Sequence, residues 1–247
     1  QRYFAKAWEK PEPPLARTAG LHRVVWNLRQ TRPLAIGYGY SIAAIYGRDT
    51  PITPLGAYAA PADYQVVLKF GGRVQNAPLK LVEDPRIAVS AEDLEASAAF
   101  SRDLTDAMAL GAHSYGEMSA AHAQLLERTK TAAADPRRAA LAAQLADLAR
   151  RTDPDEAGSR FTAADAQLTD LETALERADV APTAAQRQAY ADTLPGLQAA
   201  AGEWATTREK ALSAINAELK RAGLKPVVLT AANSMAVAPA EGGEDMP

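Results

Sequence analysis

The side chains best equipped for chemistry in this 247-residue sequence are three histidines, a scatter of carboxylates and a group of tyrosines. His22 opens a strand-like stretch. His113 and His122 lie on a helical stretch, too far apart to stack within one turn. Neither belongs to a Glu-x-x-His or His-Glu-x-x-His unit, so no metal centre is expected, and His122, in phase with an apolar seam, reads as a hydrogen-bonded core residue. Gly37-Tyr38-Gly39-Tyr40-Ser41 lacks the glycine two places after the serine that a nucleophile elbow needs. It also lacks the third glycine of a dinucleotide loop. Cysteine is absent, which removes thiolate nucleophiles, disulfides and Cys-ligated metals together. The carboxylates Asp103, Asp106, Glu117, Asp147 and Asp170 fall mainly beside helical seams, with no spacing that sets two of them across a cleft as a glycosidase requires. The sequence implies a non-catalytic chain without a cofactor.

The tyrosines carry the one candidate binding feature. The stretch 31–60 is rich in Gly, Pro and Tyr and is too long for an ordinary hairpin connection, which makes it a candidate recognition loop. Within it, Tyr38, Tyr40, Tyr46 and Tyr58 could stack on a sugar ring, pack on a neighbouring domain, or cap the open end of a sandwich.

Around this loop the pattern is that of strands. In His22–Arg29 the residues Val24, Trp26 and Leu28 alternate with Val25, Asn27 and Arg29, the period of a half-buried strand. Tyr64, Val66, Leu68 and Phe70 alternate likewise before Gly71-Gly72, a pair suited to the positive φ angles of a tight hairpin turn. Arg73 onward reads as the returning strand, and Pro78 marks it as an edge or a bulge. A further strand is expected near 41–46. With no helical period before Ser90, the spacing predicts an immunoglobulin-like antiparallel β-sandwich over residues 1–89.

From residue 90 the period is helical. Ser90, Thr162 and Thr183 each have Asp or Gln three residues on, and Asp135-Pro136 is a fourth start signal. From Ser97 through Leu104, Met108, Gly111, Tyr115 and Met118 to Leu125, and again from Tyr190 through Leu197 and Trp204 to Ile215, steps of three and four mark helix seams. The expectation is an α+β multidomain chain in which residues 90–225 form an up-and-down α-helical bundle with two long antiparallel helices. Trp204 would then face the small Gly111, and residues 226–247 would be a disordered tail.

Charge divides at the same place. Residues 1–88 hold twelve Lys/Arg against six Asp/Glu, and the remainder holds fifteen against twenty-four. No basic run is dense enough for nucleic acid. No apolar run approaches the ~20 residues of a membrane span. The first residues lack the basic-then-apolar order of a signal peptide, so the chain is either cytosolic or a processed or excised piece of a larger protein, the second being the expectation.

Three motifs in order carry a family resemblance: Gly20-Leu21-His22-Arg23-Val24-Val25-Trp26-Asn27-Leu28-Arg29, then Pro61-Ala62-Asp63-Tyr64-Gln65-Val66-Val67-Leu68, then Asp84-Pro85-Arg86 before a long helix. This resembles the C-terminal region of sortilin-like, BNR-repeat glycosyl hydrolase-like proteins. Asn27 and Ala62 replace that pattern's Asp and Gly, and no Asp-box repeat of its β-propeller is present. The resemblance implies a secreted or periplasmic accessory module whose partner is the parent β-propeller or another subunit, with any active site in that propeller. A carbohydrate-binding module using loop 31–60 is the second reading, and a hydrolase with an unrecognised site is the third.

Overall fold

A computed structural model describes residue 16 and residues 18–40 and 52–229. The 41–46 strand, Tyr46 and the tail from Thr230 lie outside the described residues, as does the side chain of Tyr40.

Two short and two long strands come first: β1 (Gly39–Tyr40), β2 (Ile52–Thr53), β3 (Ala62–Phe70) and β4 (Arg73–Leu81). They form two separate antiparallel pairs, β1 with β2 and β3 with β4. Gly71 and Gly72, with φ of 54° and 75°, make the expected tight turn of the long hairpin, whose register runs from Phe70 opposite Arg73 to Ala62 opposite Leu81. Pro78 is tolerated because each strand of a two-stranded ribbon is an edge.

The expected immunoglobulin-like sandwich is overturned: among the described residues no second sheet covers the hairpin. Residues 21–28, although they alternate, join no ladder, and Leu21, Val24 and Val25 are exposed. Alternation supplies a strand with a face to bury, but the strand forms only where a neighbour offers hydrogen bonds. Here the segment ends in a local turn instead. Trp26 Nε1 donates to Arg29 O at 2.8 Å, the Arg29 amide donates to Asn27 Oδ1 at 3.0 Å, and Leu28 takes a φ of 63°.

Helices make up the rest: α1 (Ala91–Ala133), α2 (Ala139–Arg151), α3 (Ser159–Leu175), α4 (Ala184–Thr206) and α5 (Ser213–Arg221). Ser90 caps α1 by accepting from the Asp93 amide at 3.0 Å, and Thr183 with Gln186 forms a capping box on α4. Asp135 accepts from the Arg137 amide at the 3-10 turn Pro136–Arg138 that leads into α2. Thr162 is no start. Its helix begins at Ser159, and Thr162 Oγ1 donates back to Ser159 O. α4 runs unbroken past Pro195 and continues through a π-helical stretch, Thr207–Leu212, into α5.

The bundle has three arms. His122 Nδ1 meets Ala149 O at 2.9 Å, and Ser101 Oγ meets Glu172 Oε1 at 2.7 Å. The falling partner numbers along α1 show that α2 and α3 both run antiparallel to it as one interrupted return arm. The interruption has local causes. Thr152 Oγ1 donates to Leu148 O and Ala149 O at the end of α2, and Pro154 cannot extend the helix. Gly158 is required because a Cβ there would lie 2.2 Å from Pro154 O and 2.8 Å from the Tyr115 ring.

Because the 152–158 turn does not reverse the chain, α4 runs parallel to α1 rather than antiparallel. Gly111 therefore faces Leu197, whose Cδ1 would sit 3.2 Å from an added Cβ, while Trp204 Nε1 donates to Glu117 Oε2 at 3.0 Å. The core is continuous along these arms through Phe100, Leu104, Met108, Leu125, Leu145, Phe161, Leu168, Leu197 and Leu219. α5 ends at Gly223 (φ 71°), where the Leu224 amide returns to Leu219 O at 2.8 Å, and Val227 is buried against the bundle with its amide on Asn216 Oδ1.

Candidate functional site

Two ties fasten the segment before the hairpin to α3. Asp165 accepts from the backbone amides of Ile36 and Gly37 at 3.0 and 3.1 Å, which seats Ala35 in the core. Burial pushes the Asp165 carboxyl up, against the lowering effect of those two amides. Arg29 pairs with Glu176 near the end of α3 and donates to Gly56 O at 2.8 Å. Arg29 is held in turn by a short bridge: the Gln30 amide donates to Ala57 O and the Ala59 amide to Leu28 O. Gly56 is needed there, since a Cβ would stand 1.9 Å from Gln30 O.

These ties leave a cleft of about 290 Å³ between the base of the hairpin, the start of α1 and the end of α3. Leu28, Leu81, Val89, Leu94 and Leu175 contribute apolar wall, while Tyr58, Val82 and Ile87 are exposed at its margin. Acidic side chains complete it: Glu83, Asp84, Glu172, Glu176 and Asp179. Asp84 is paired with Arg86, and Glu176 with Arg29.

Glu172 is the unusual member. It is 1% exposed, accepts from Ser101 Oγ through Oε1, and has no partner for Oε2 among the described residues. Burial, reinforced by the nearby Glu176 charge, raises its pKa to about 7 in spite of the Ser101 hydrogen bond and the Arg29 charge. Glu83 Oε1 is likewise shielded and unpartnered. Two shielded acceptor oxygens of residues bordering the cleft thus have no donor in the described chain. A carboxyl poised near neutrality could move a proton, but Ser101 is spent on Glu172 and no histidine lines the cleft. The arrangement is suited to holding a hydrogen-bond donor. No three His, Asp or Glu side chains among the described residues converge in a way that could hold a metal ion.

The tyrosines of loop 31–60 are not brought together as one stacking platform among the described residues. Tyr38 is half-buried, its hydroxyl donating to Pro33 O at 2.8 Å and accepting from the Ala35 amide at 3.1 Å. Tyr58 is exposed beneath the Arg29 guanidinium, which lies 3.9 Å from the ring centroid. Tyr40 contributes its backbone to β1. Sequence reasoning missed Glu172, Glu83 and Ser101 as cleft residues. The signal for Glu172 was its phase, since it follows Phe161, Ala164 and Leu168 and precedes Leu175 on one face of α3. An acid in that stripe must be buried or must break it.

Comparison with family models, with curated proteins and with solved structures finds no match to this chain.

Proposed function

We propose that the chain is a non-catalytic interaction module, in which the helical arms form a rigid spacer and the β3–β4 hairpin docks on another β-rich polypeptide. One observation carries this reading: the hairpin exposes both faces and both edges. Val66, Leu68 and Phe70 on one face and Val67 on the other are about half exposed or more, with Phe70 at 66%. Isolated two-stranded hairpins are marginal in water, and open apolar edges are templates for pairing. The 21–28 segment, extended beside the hairpin with Trp26 edge-on to Tyr64 at 5.9 Å, adds to the same unpartnered surface. Together the two stretches approach the ~20–30 residues a side of a standard interface.

The family resemblance supplies the partner: the β-propeller of a secreted, sortilin-like, glycosyl hydrolase-like protein. On that reading the coding sequence upstream of Gln1 carries Asp-box repeats; a different class of domain there contradicts it. The docking role itself is tested by the double variant Val66→Lys, Phe70→Lys. Since these side chains are half exposed or more, stability falls by no more than ~1 kcal/mol while binding of a hydrophobic dye falls. A loss above ~2 kcal/mol in urea denaturation would mean that the face is already covered within the chain.

A further inference from the structure

We propose that the cleft between the hairpin base and the end of α3 binds an alkylammonium or guanidinium group carried on an apolar stem. The proposal does not depend on the docking role of the hairpin. Its first support is the pair of shielded carboxylate oxygens, Glu172 Oε2 and Glu83 Oε1, that have no partner among the described residues. Buried polar atoms in native proteins are almost always satisfied, and Glu83 and Glu172 border the same cleft. The second support is charge. Five acids and no lysine, arginine or histidine line the cleft, and after the Arg86–Asp84 and Arg29–Glu176 pairs Glu83 and Asp179, joined by Glu172 once the pH passes about 7, remain without an ion pair among the described residues. An anion is repelled by that surplus, and a neutral ligand leaves it uncompensated.

Shape is the third support. Leu81, Leu94 and Leu175 offer apolar wall beside the carboxylates, and a volume of about 290 Å³ admits a short aliphatic amine. An ammonium brings several N–H donors and a positive charge to the acidic lining while its chain covers the leucines. The same chemistry comes from a free amine or from a lysine or arginine side chain of a polypeptide.

Calorimetric titration of the full chain with n-hexylammonium, n-hexylguanidinium, hexanol and hexanoate tests this. The cations are expected to bind at least about tenfold more tightly than hexanol, and hexanoate not at all. Glu172→Gln, which keeps the acceptor for Ser101, weakens cation binding by about tenfold or more, and Glu83→Gln weakens it by a smaller factor. Circular dichroism confirms that both variants are folded. A second arm uses Nα-acetyl-lysine methylamide and its arginine counterpart. Binding as tight as that of the hexyl cations assigns the site to a protein side chain, and clearly weaker binding assigns it to a free amine. Hexanol binding as well as hexylammonium, a Glu172→Gln variant that binds the cations unchanged, or no heat with either cation at millimolar concentration would overturn the proposal.

Discussion

Trp204→Ala is expected to destabilise the chain by ~3–5 kcal/mol, the largest effect of any single substitution considered. The indole is 5% exposed, sits on α4 just before the π-helical stretch, and packs in the core shared with α1. Removing it sacrifices its apolar contacts and opens a cavity that the rigid arms cannot fully close. It also removes the Trp204 Nε1 donor to Glu117 Oε2, leaving that oxygen to Arg208 at 3.1 Å. Trp204→Phe retains most of the apolar volume and loses the donor with part of the ring, at a cost of ~1–2 kcal/mol. Urea denaturation measures both. A Trp204→Ala variant within ~1 kcal/mol of the parent would mean that the ring is not packed between the parallel arms.

Glu172→Gln acts in the opposite direction and only at higher pH. In the unfolded chain Glu172 gives up its proton near its ordinary 4.5, whereas burial holds the proton on the folded chain to about 7. Between those values the folded state binds more protons, so stability falls as pH rises from about 4.5 through about 7 and then stays low. The difference corresponds to roughly 3 kcal/mol at ~1.4 kcal/mol per pH unit. The charged groups around it include Arg29 and Glu176, together with Glu83, Asp84 and Asp179 across the cleft, while α1 presents uncharged Leu94, Ser97, Ala98 and Ser101 there. Glutamine carries no charge and still accepts from Ser101. The variant is therefore expected to match the parent near pH 4.5 and to exceed it by ~2–3 kcal/mol at pH 8, as read from urea midpoints at the two pH values. A variant less stable than the parent at pH 8 would show that the carboxylate is compensated in the folded chain.

The helical half was legible where its signals are local. Ser90, Asp135-Pro136 and Thr183 are capping residues that act within three positions of themselves, and each does cap in the structure. Thr162-Ala163-Ala164-Asp165 has the same form but lies inside a helix that begins at Ser159, and its Asp165 carboxylate is taken by the Ile36 and Gly37 amides, more than 120 residues away. No local pattern records such a partner. The direction of α4 was lost for a related reason. Helix counting assumes a reversal at every break, whereas Thr152, Pro154 and Gly158 interrupt the return arm without reversing it.

The β half was legible as hairpin and illegible as layer. Gly71-Gly72 dictates the turn through positive φ, and alternation from Tyr64 to Phe70 dictates the strand. Alternation also implies that one face is buried, but it says nothing about which chain buries it. At the candidate site, the tyrosines attracted attention by type, whereas Glu172 was disguised by the abundance of acids on these helices and distinguished only by its phase with Leu168 and Leu175. Glu83, just past β4, becomes a cleft residue only through the ties that Arg29 and Asp165 make across the chain.

A β3–β4 hairpin that docks on another polypeptide, as proposed, is an open layer in the monomer, and hydrogen exchange on the monomeric chain reads this directly. Amides of residues 62–81 are expected to exchange within about one to two orders of magnitude of an unstructured peptide, while those of α1 around Leu104 and Leu125, fully buried in the bundle, are protected close to the limit of global unfolding. Hairpin amides as strongly protected as those of α1 in the monomer would contradict the account, because the layer would then be complete within this chain.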